Sequence, residues 1–281
     1  MKKIISTIIA VCALAVSLSS CKADSTVINV ITREEGSGTR GAFVELLEIT
    51  DASGVDAIIQ SAESTSSTAV MITTVAGDKN AIGFISLGSL SSDVKAVSLD
   101  GAAATVANVR NGTYSLVRPF NIAYKADSLS DVAADFITYI MSKEGQALAT
   151  SNGYIAIDES AASYTTSGLT GKITLAGSTS VSPLMDKIAD AYMAINSGVE
   201  IEIQQTGSSA GMTSAMEGAC DIGMASRELK DSEKAALTGK VIAQDGIAVI
   251  VNKESEVSNL TSEQIKKIYL GEIKDWSEIT D

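Results

Sequence analysis

An α/β fold with mostly parallel sheets is predicted by an alternation along the chain. Short apolar runs rich in Ile and Val are each followed by a segment with helical periodicity. With 281 residues, 45% hydrophobic and 20% charged, the chain is long enough for one large domain or two modest ones.

Residues 27–31 (VINVI) read as a strand, and Phe43, Leu46 and Leu47 fall at i, i+3, i+4, so a helix follows. Residues 81–87 (AIGFISL) read as a buried strand. Val132, Phe136, Ile137, Ile140 and Met141 mark a helix opened by Ser130, with Asp131 in its first turn. Residues 158–171 (DESAASYTTSGLTG) lack periodicity, are rich in Ser, Thr and Gly, and read as a linker. A strand over 172–176 comes next. Val181, Leu184, Met185, Ile188, Tyr192 and Ile195 then share one helix face, with Pro183 in the first turn, where a missing N–H costs nothing. Residues 200–205 alternate like a strand, and Met212, Ala215 and Met216 continue as a helix. A strongly apolar strand lies within 242–251, and Thr261 caps a helix running to Tyr269.

The first twenty residues read as a signal peptide. Lys2 and Lys3 form a basic head, and the apolar stretch 4–18 is shorter than the about 20 residues a membrane-spanning helix needs. Leu18-Ser19-Ser20-Cys21 resembles a bacterial lipobox, which implies cleavage before Cys21 and a lipid on its sulfur; the alternative is an ordinary secretory signal. Cys12 leaves with the signal, and Cys220, with no histidine to activate it, reads as a small buried filler.

Composition removes several functions. The absence of histidine excludes histidine triads, proton shuttles and metal ligands. A formal charge of −13 with 4% aromatics argues against nucleic acid, which calls for cations and stacking surfaces. No metal or cofactor is expected.

A recurrence carries more information. Gly36-Ser37-Gly38-Thr39, Gly177-Ser178-Thr179-Ser180 and Gly207-Ser208-Ser209-Ala210-Gly211 each follow a strand and open a helix. Backbone N–H groups at a helix start have no partner within the helix, and they carry the positive end of its dipole. Glycine lets an oxyanion approach, and Ser and Thr add O–H donors. Any single turn of this kind reads as an ordinary N-cap; three of them, with Arg33 beside the first, suggest an oxyanion site. Arg33 would add a planar fork of donors, the alternative being a surface ion pair with Glu34 or Glu35. No Gly-Lys-Ser/Thr is present, so a nucleotide-hydrolysing loop is not supported.

These residues also carry a resemblance. Thr32-Arg33-Glu34-Glu35-Gly36-Ser37-Gly38-Thr39-Arg40 resembles a signature of the phosphate-binding proteins of bacterial ABC uptake systems. So do Ala176-Gly177-Ser178-Thr179-Ser180-Val181-Ser182-Pro183-Leu184, Gly207-Ser208-Ser209-Ala210-Gly211 and Asp221-Ile222-Gly223-Met224-Ala225-Ser226-Arg227-Glu228-Leu229. Similar stretches run through residues 80–88, 142–146 and 260–276. In the family the Ala-Gly-Ser-Thr-Ser segment comes first; here it comes second. The order resembles a circular permutation, with the linker joining the family's usual ends and new ends opened between Trp276 and Val27; a truncated tandem copy is the alternative.

The resemblance implies a two-lobed type II periplasmic-binding-protein (Venus-flytrap) fold. Residues 27–118 plus 244–281 would form lobe two and 119–243 lobe one, joined by crossings near 114–124 and 241–251. It implies that Arg33, Ser37, Gly38 and Thr39 hold phosphate from lobe two, and Thr179, Ser180 and Ser208 from lobe one. Ser226 stands where several family members have an Asp that accepts the proton of hydrogen phosphate, which leaves selectivity over sulfate open. Arg227 would add a second cation or pair with Glu228 or another acid. The implied role is a monomeric, lipid-anchored, extracytoplasmic receptor that delivers phosphate to an ABC permease; the alternative is an oxyanion sensor or adhesion module without transport. An enzyme is not expected, because no general base or activated nucleophile accompanies the hydroxyls.

Overall fold

The computed structural model describes residues 26–279; the stretch expected to be a signal peptide, Cys21 and residues 280–281 lie outside them. A ten-stranded sheet orders its main strands as Glu63–Thr65, Asn29–Arg33, Ala81–Ser86, Thr238–Asn252, Val117–Tyr124, Ile222–Ala225, Gly171–Gly177 and Val199–Gln205. Toward both ends of this path the neighbours are parallel. In the middle, Thr238–Asn252 and Val117–Tyr124 pair antiparallel with each other and with their outer neighbours. The sheet is therefore mixed rather than mostly parallel. The reason is that both central strands run from one hydrophobic core into the other, in opposite directions.

Those cores are distinct. One gathers buried side chains from residues 28–117 and 247–269, with Ile155. At its centre Phe43 stacks on Phe84 at 4.1 Å, and Tyr269 meets Phe43 edge-on at 4.8 Å. The other gathers side chains from residues 120–243, with the Tyr192 ring against both Phe136 and Tyr139. Ala81–Ser86 is buried at every position, as a strand covered on both faces must be. In Val199–Gln205, at the sheet's edge, buried Val199 and half-buried Ile201 and Ile203 are separated by exposed Glu200 and Glu202, which pair with Lys172.

Helix starts follow the local sequence. Ser37, Ser67, Ser130, Ser142 and Thr261 each accept a hydrogen bond from the backbone N–H three residues on. The helices Thr68–Gly77 and Lys143–Ser151 and the strand Glu63–Thr65 are additions to the elements the periodicity predicts.

Residues 158–170 form no helix or strand, yet they are held down. The Tyr164 hydroxyl donates to Asp135 at 2.6 Å, Ser167 donates to the same oxygen, and Thr166 donates to Asn196. The two ends of the described chain also meet. Val27 bridges Asp275, and the Ile28 N–H donates to the Lys274 carbonyl at 2.8 Å. No helix among the described residues is long and apolar enough to cross a membrane.

Candidate functional site

The helix openings anticipated from the sequence converge. Gly38–Leu46 begins after the Asn29–Arg33 strand, with Ser37 as its cap. Ser182–Ile195 begins after the turn at Ser178–Ser180, and Ser208–Glu217 begins after Gly207, whose φ of 86° suits glycine. Thr39 and Ser180, one from each core's segment, share a hydrogen bond at 2.9 Å. The Ser178 hydroxyl donates to the Ser226 hydroxyl at 2.9 Å, and the Ser226 N–H donates to Ser208 Oγ at 3.2 Å. The Ser209 N–H donates across to the Gly36 carbonyl at 3.1 Å. Gly38 sits so close that a Cβ there would lie 2.3 Å from Ser208 Oγ and 2.7 Å from Ser226 Oγ.

Arg33 is 2% exposed. Its Nε and Nη2 donate to the two carboxylate oxygens of Glu34, each at 2.8 Å, and Nη2 also reaches Thr179 Oγ1 at 3.2 Å. The surface ion pair set against an anion role is thus half realised: the partner is Glu34, but the arginine is buried and faces the opposite helix opening. Arg40 donates to the Arg33 carbonyl at 2.9 Å and pairs with Asp56, which anchors the loop.

A fourth opening joins the three. The helix Thr68–Gly77 starts at the same place, and Thr68 Oγ1 lies 3.3 Å from both Thr179 Oγ1 and Ser180 Oγ. Ser66-Ser67-Thr68 was the available signal, a hydroxyl cluster before an apolar segment. Arg227 pairs through both ends of its fork with Glu233 at 2.8 Å, and only the Glu228 carbonyl, not its carboxylate, takes part. Burial pushes the Glu233 carboxyl up, but hydrogen bonds from Arg227 and the Lys230 N–H outweigh it and hold it below the ordinary range. Beside the openings a cavity of about 190 Å³ is lined from both sides, by Ser37, Arg40 and Asp56 on one and by Ser209, Arg227 and Lys230 on the other.

Cys220 is buried, and burial pushes its thiol up to about 11, so it is a poor nucleophile. The site offers hydroxyls, backbone N–H groups and a guanidinium, a donor set suited to holding a small oxyanion.

Two cores joined by crossing strands, with helix openings meeting between them, define the two-lobed fold of the type II periplasmic-binding class. The family model described as "PBP superfamily domain" matches residues 22–144 and 160–281. Phosphate-binding protein PstS 2 of Streptococcus agalactiae is 47% identical over 273 residues, 94% of this chain and 93% of that protein. The crystal structure of a phosphate ABC transporter, phosphate-binding protein from Streptococcus pneumoniae TIGR4 superposes with a TM-score of 0.73 at 44% identity, over 90% of this chain and all of that one. Phosphate-binding protein PstS of Staphylococcus haemolyticus matches a shorter stretch, 37% identical over 111 residues, 37% of this chain and 35% of that protein. The chain belongs to the PstS family of phosphate-binding proteins.

Proposed function

We propose that the chain captures inorganic phosphate between its lobes and hands it to an ABC permease. The observation that carries this reading is the meeting of four helix openings and the buried Arg33 at one point. Arg33, Ser37, Gly38 and Thr39, joined by Thr68, would bind from lobe two, residues 27–118 plus 244–281. Thr179, Ser180, Ser208 and Ser226 would bind from lobe one, residues 119–243. Each hydroxyl can turn its proton toward an anion oxygen, so these short side chains serve a tetrahedral guest without bulk positive charge. Family membership supports phosphate as that guest and a permease as the partner.

The lipobox-like Leu18-Ser19-Ser20-Cys21 supports an extracytoplasmic protein anchored through Cys21. Meeting chain ends and a stapled 158–170 segment support a permuted segment order. So does the contrast between end-to-end relatives and the partial Staphylococcus match.

Titration calorimetry with phosphate and with sulfate tests the central claim. Saturable heat with phosphate and a raised melting temperature are expected; neither heat nor thermal shift with phosphate overturns it.

A further inference from the structure

Behind the site, between the crossing strands, lies a polar group that the anion reading does not use. Arg118 and Asp245 face each other in register on Val117–Tyr124 and Thr238–Asn252. Both are buried. Arg118 Nε and Nη2 donate to Asp245 Oδ2 at 3.1 and 2.9 Å, and the Ser86 hydroxyl donates to Oδ1 at 2.9 Å. Burial lowers the Arg118 guanidinium and raises the Asp245 carboxyl, each opposed by the charge of the other.

Two buried charges gain little stability from being paired, because desolvation offsets their attraction. What the pair does have is a direction. Arg118 Nη1 donates to the Ser226 carbonyl at 3.1 Å. Three residues further along the same strand, Asn121 Nδ2 donates to the Arg227 carbonyl at 2.9 Å. Two consecutive carbonyls of the turn that ends Ile222–Ala225 are therefore held by donors from a crossing strand. The other side of that turn is in the anion site, through the Ser226 N–H to Ser208 and the Ser226 hydroxyl to Ser178.

We propose that Arg118, oriented by Asp245 and Ser86 and assisted by Asn121, is a positioning residue that sets the Ser226–Arg227 turn for anion binding. This inference rests on the phosphate reading. Geometry of a ligand-facing group is only as good as the groups that hold it. Arg118 touches no ligand-facing side chain; it acts through the backbone of one. Its partner Asp245 is tied to Ser86, at the end of a strand in the other core, so the turn is referenced to both lobes at once.

The test pairs affinity with a local probe. Arg118→Met with Asp245→Leu replaces the ion pair by apolar groups of similar bulk, and Asn121→Leu removes the second donor alone. Phosphate affinity and dissociation rate are read by calorimetry and stopped flow, and melting temperature and the backbone amide NMR signals of Ser226, Arg227 and Thr39 are read alongside. The expected result for each variant is a fall in phosphate affinity of about tenfold or more, as a misplaced contact produces. It should appear mainly as faster release, with the Ser226 and Arg227 signals displaced and that of Thr39 in place. Should the double variant fail to fold, Asn121→Leu decides alone. Wild-type affinity in a folded variant overturns the inference, as does lost affinity with unmoved Ser226 and Arg227 signals. Wild-type protein that binds no phosphate would instead sink the reading of the site, and the amide signals would still report on the turn.

Discussion

Contacts across the cleft and contacts along the crossing strands join the same two cores with different materials. Across the cleft most of the meeting groups are small and neutral (Thr39 with Ser180, Thr68 with Thr179, the Ser209 N–H with the Gly36 carbonyl), and Arg33 adds a cation that reaches Thr179. Along the crossing strands an antiparallel ladder with one register shift, between Val241 and Ala243, runs from Thr238 to Gly246, and a buried ion pair sits inside it. Hydroxyl pairs trade readily for other partners, since a net hydrogen bond is worth only about 0.5–1.5 kcal/mol. A ladder with an internal charge pair does not, because breaking it strands a buried charge. The difference teaches where motion would be concentrated: the cleft can part while the ladder only bends.

The largest test of the comparison is Arg33→Ala. It removes a buried cation that reaches across the cleft to Thr179, and phosphate affinity measured by calorimetry should fall by about 2–5 kcal/mol, with the fold intact by circular dichroism. Unchanged affinity would mean that the fork serves only Glu34. Gly38→Ala comes next. The new methyl group meets Ser208 Oγ and Ser226 Oγ, and turning the Ser208 side chain away breaks its bond to the Ser226 N–H. A loss of about 1–3 kcal/mol in affinity is expected, with the unliganded melting temperature little altered if the clash belongs to the closed cleft.

Thr68→Val should cost about 0.5–1.5 kcal/mol in phosphate affinity, for a hydroxyl replaced by a methyl of equal size. The smallest effect on binding is expected from Glu233→Gln, which instead alters the pH profile of stability. The folded carboxyl titrates below its unfolded value of about 4.3, so the stability it contributes is present above that pH and is lost as pH falls through the lowered value. Melting temperatures of the two proteins should differ at neutral pH and converge in acid; a constant difference would show that Arg227 is held by shape rather than by charge.

How far the sequence could be read follows from how local each signal was. Ser37, Ser130 and Thr261 are legible because capping involves residues three apart. The Gly-Ser turns are legible for the same reason, and their convergence was inferred from recurrence and family likeness. Thr68 was not seen, because its helix, TAVMITTVAG, is apolar on most sides and shows little amphipathic contrast. For Arg227 the sequence leaves a second cation or a pairing with Glu228 or another acid open; the acid is Glu233, five positions beyond Glu228 in the helix Asp231–Ala236, where its two oxygens meet both ends of the fork. Arg118 and Asp245 stand 127 positions apart, Arg118 in VRPFNIAY and Asp245 in TGKVIAQDGIAVIVN. Only the strand register, which sequence pattern does not supply, brings them face to face.

The strand Thr238–Asn252 has one more implication, for biosynthesis. The core of residues 120–243 draws on a contiguous stretch of chain, but the core of residues 28–117 takes in side chains as far as Tyr269. When the polypeptide arrives N-terminus first outside the cytoplasm, the segment carrying Phe43 and Phe84 must wait for Tyr269 before the Phe43–Phe84–Tyr269 cluster can close. Assembly should therefore begin in the middle of the chain, and the early segment should be the part that relies on chaperones.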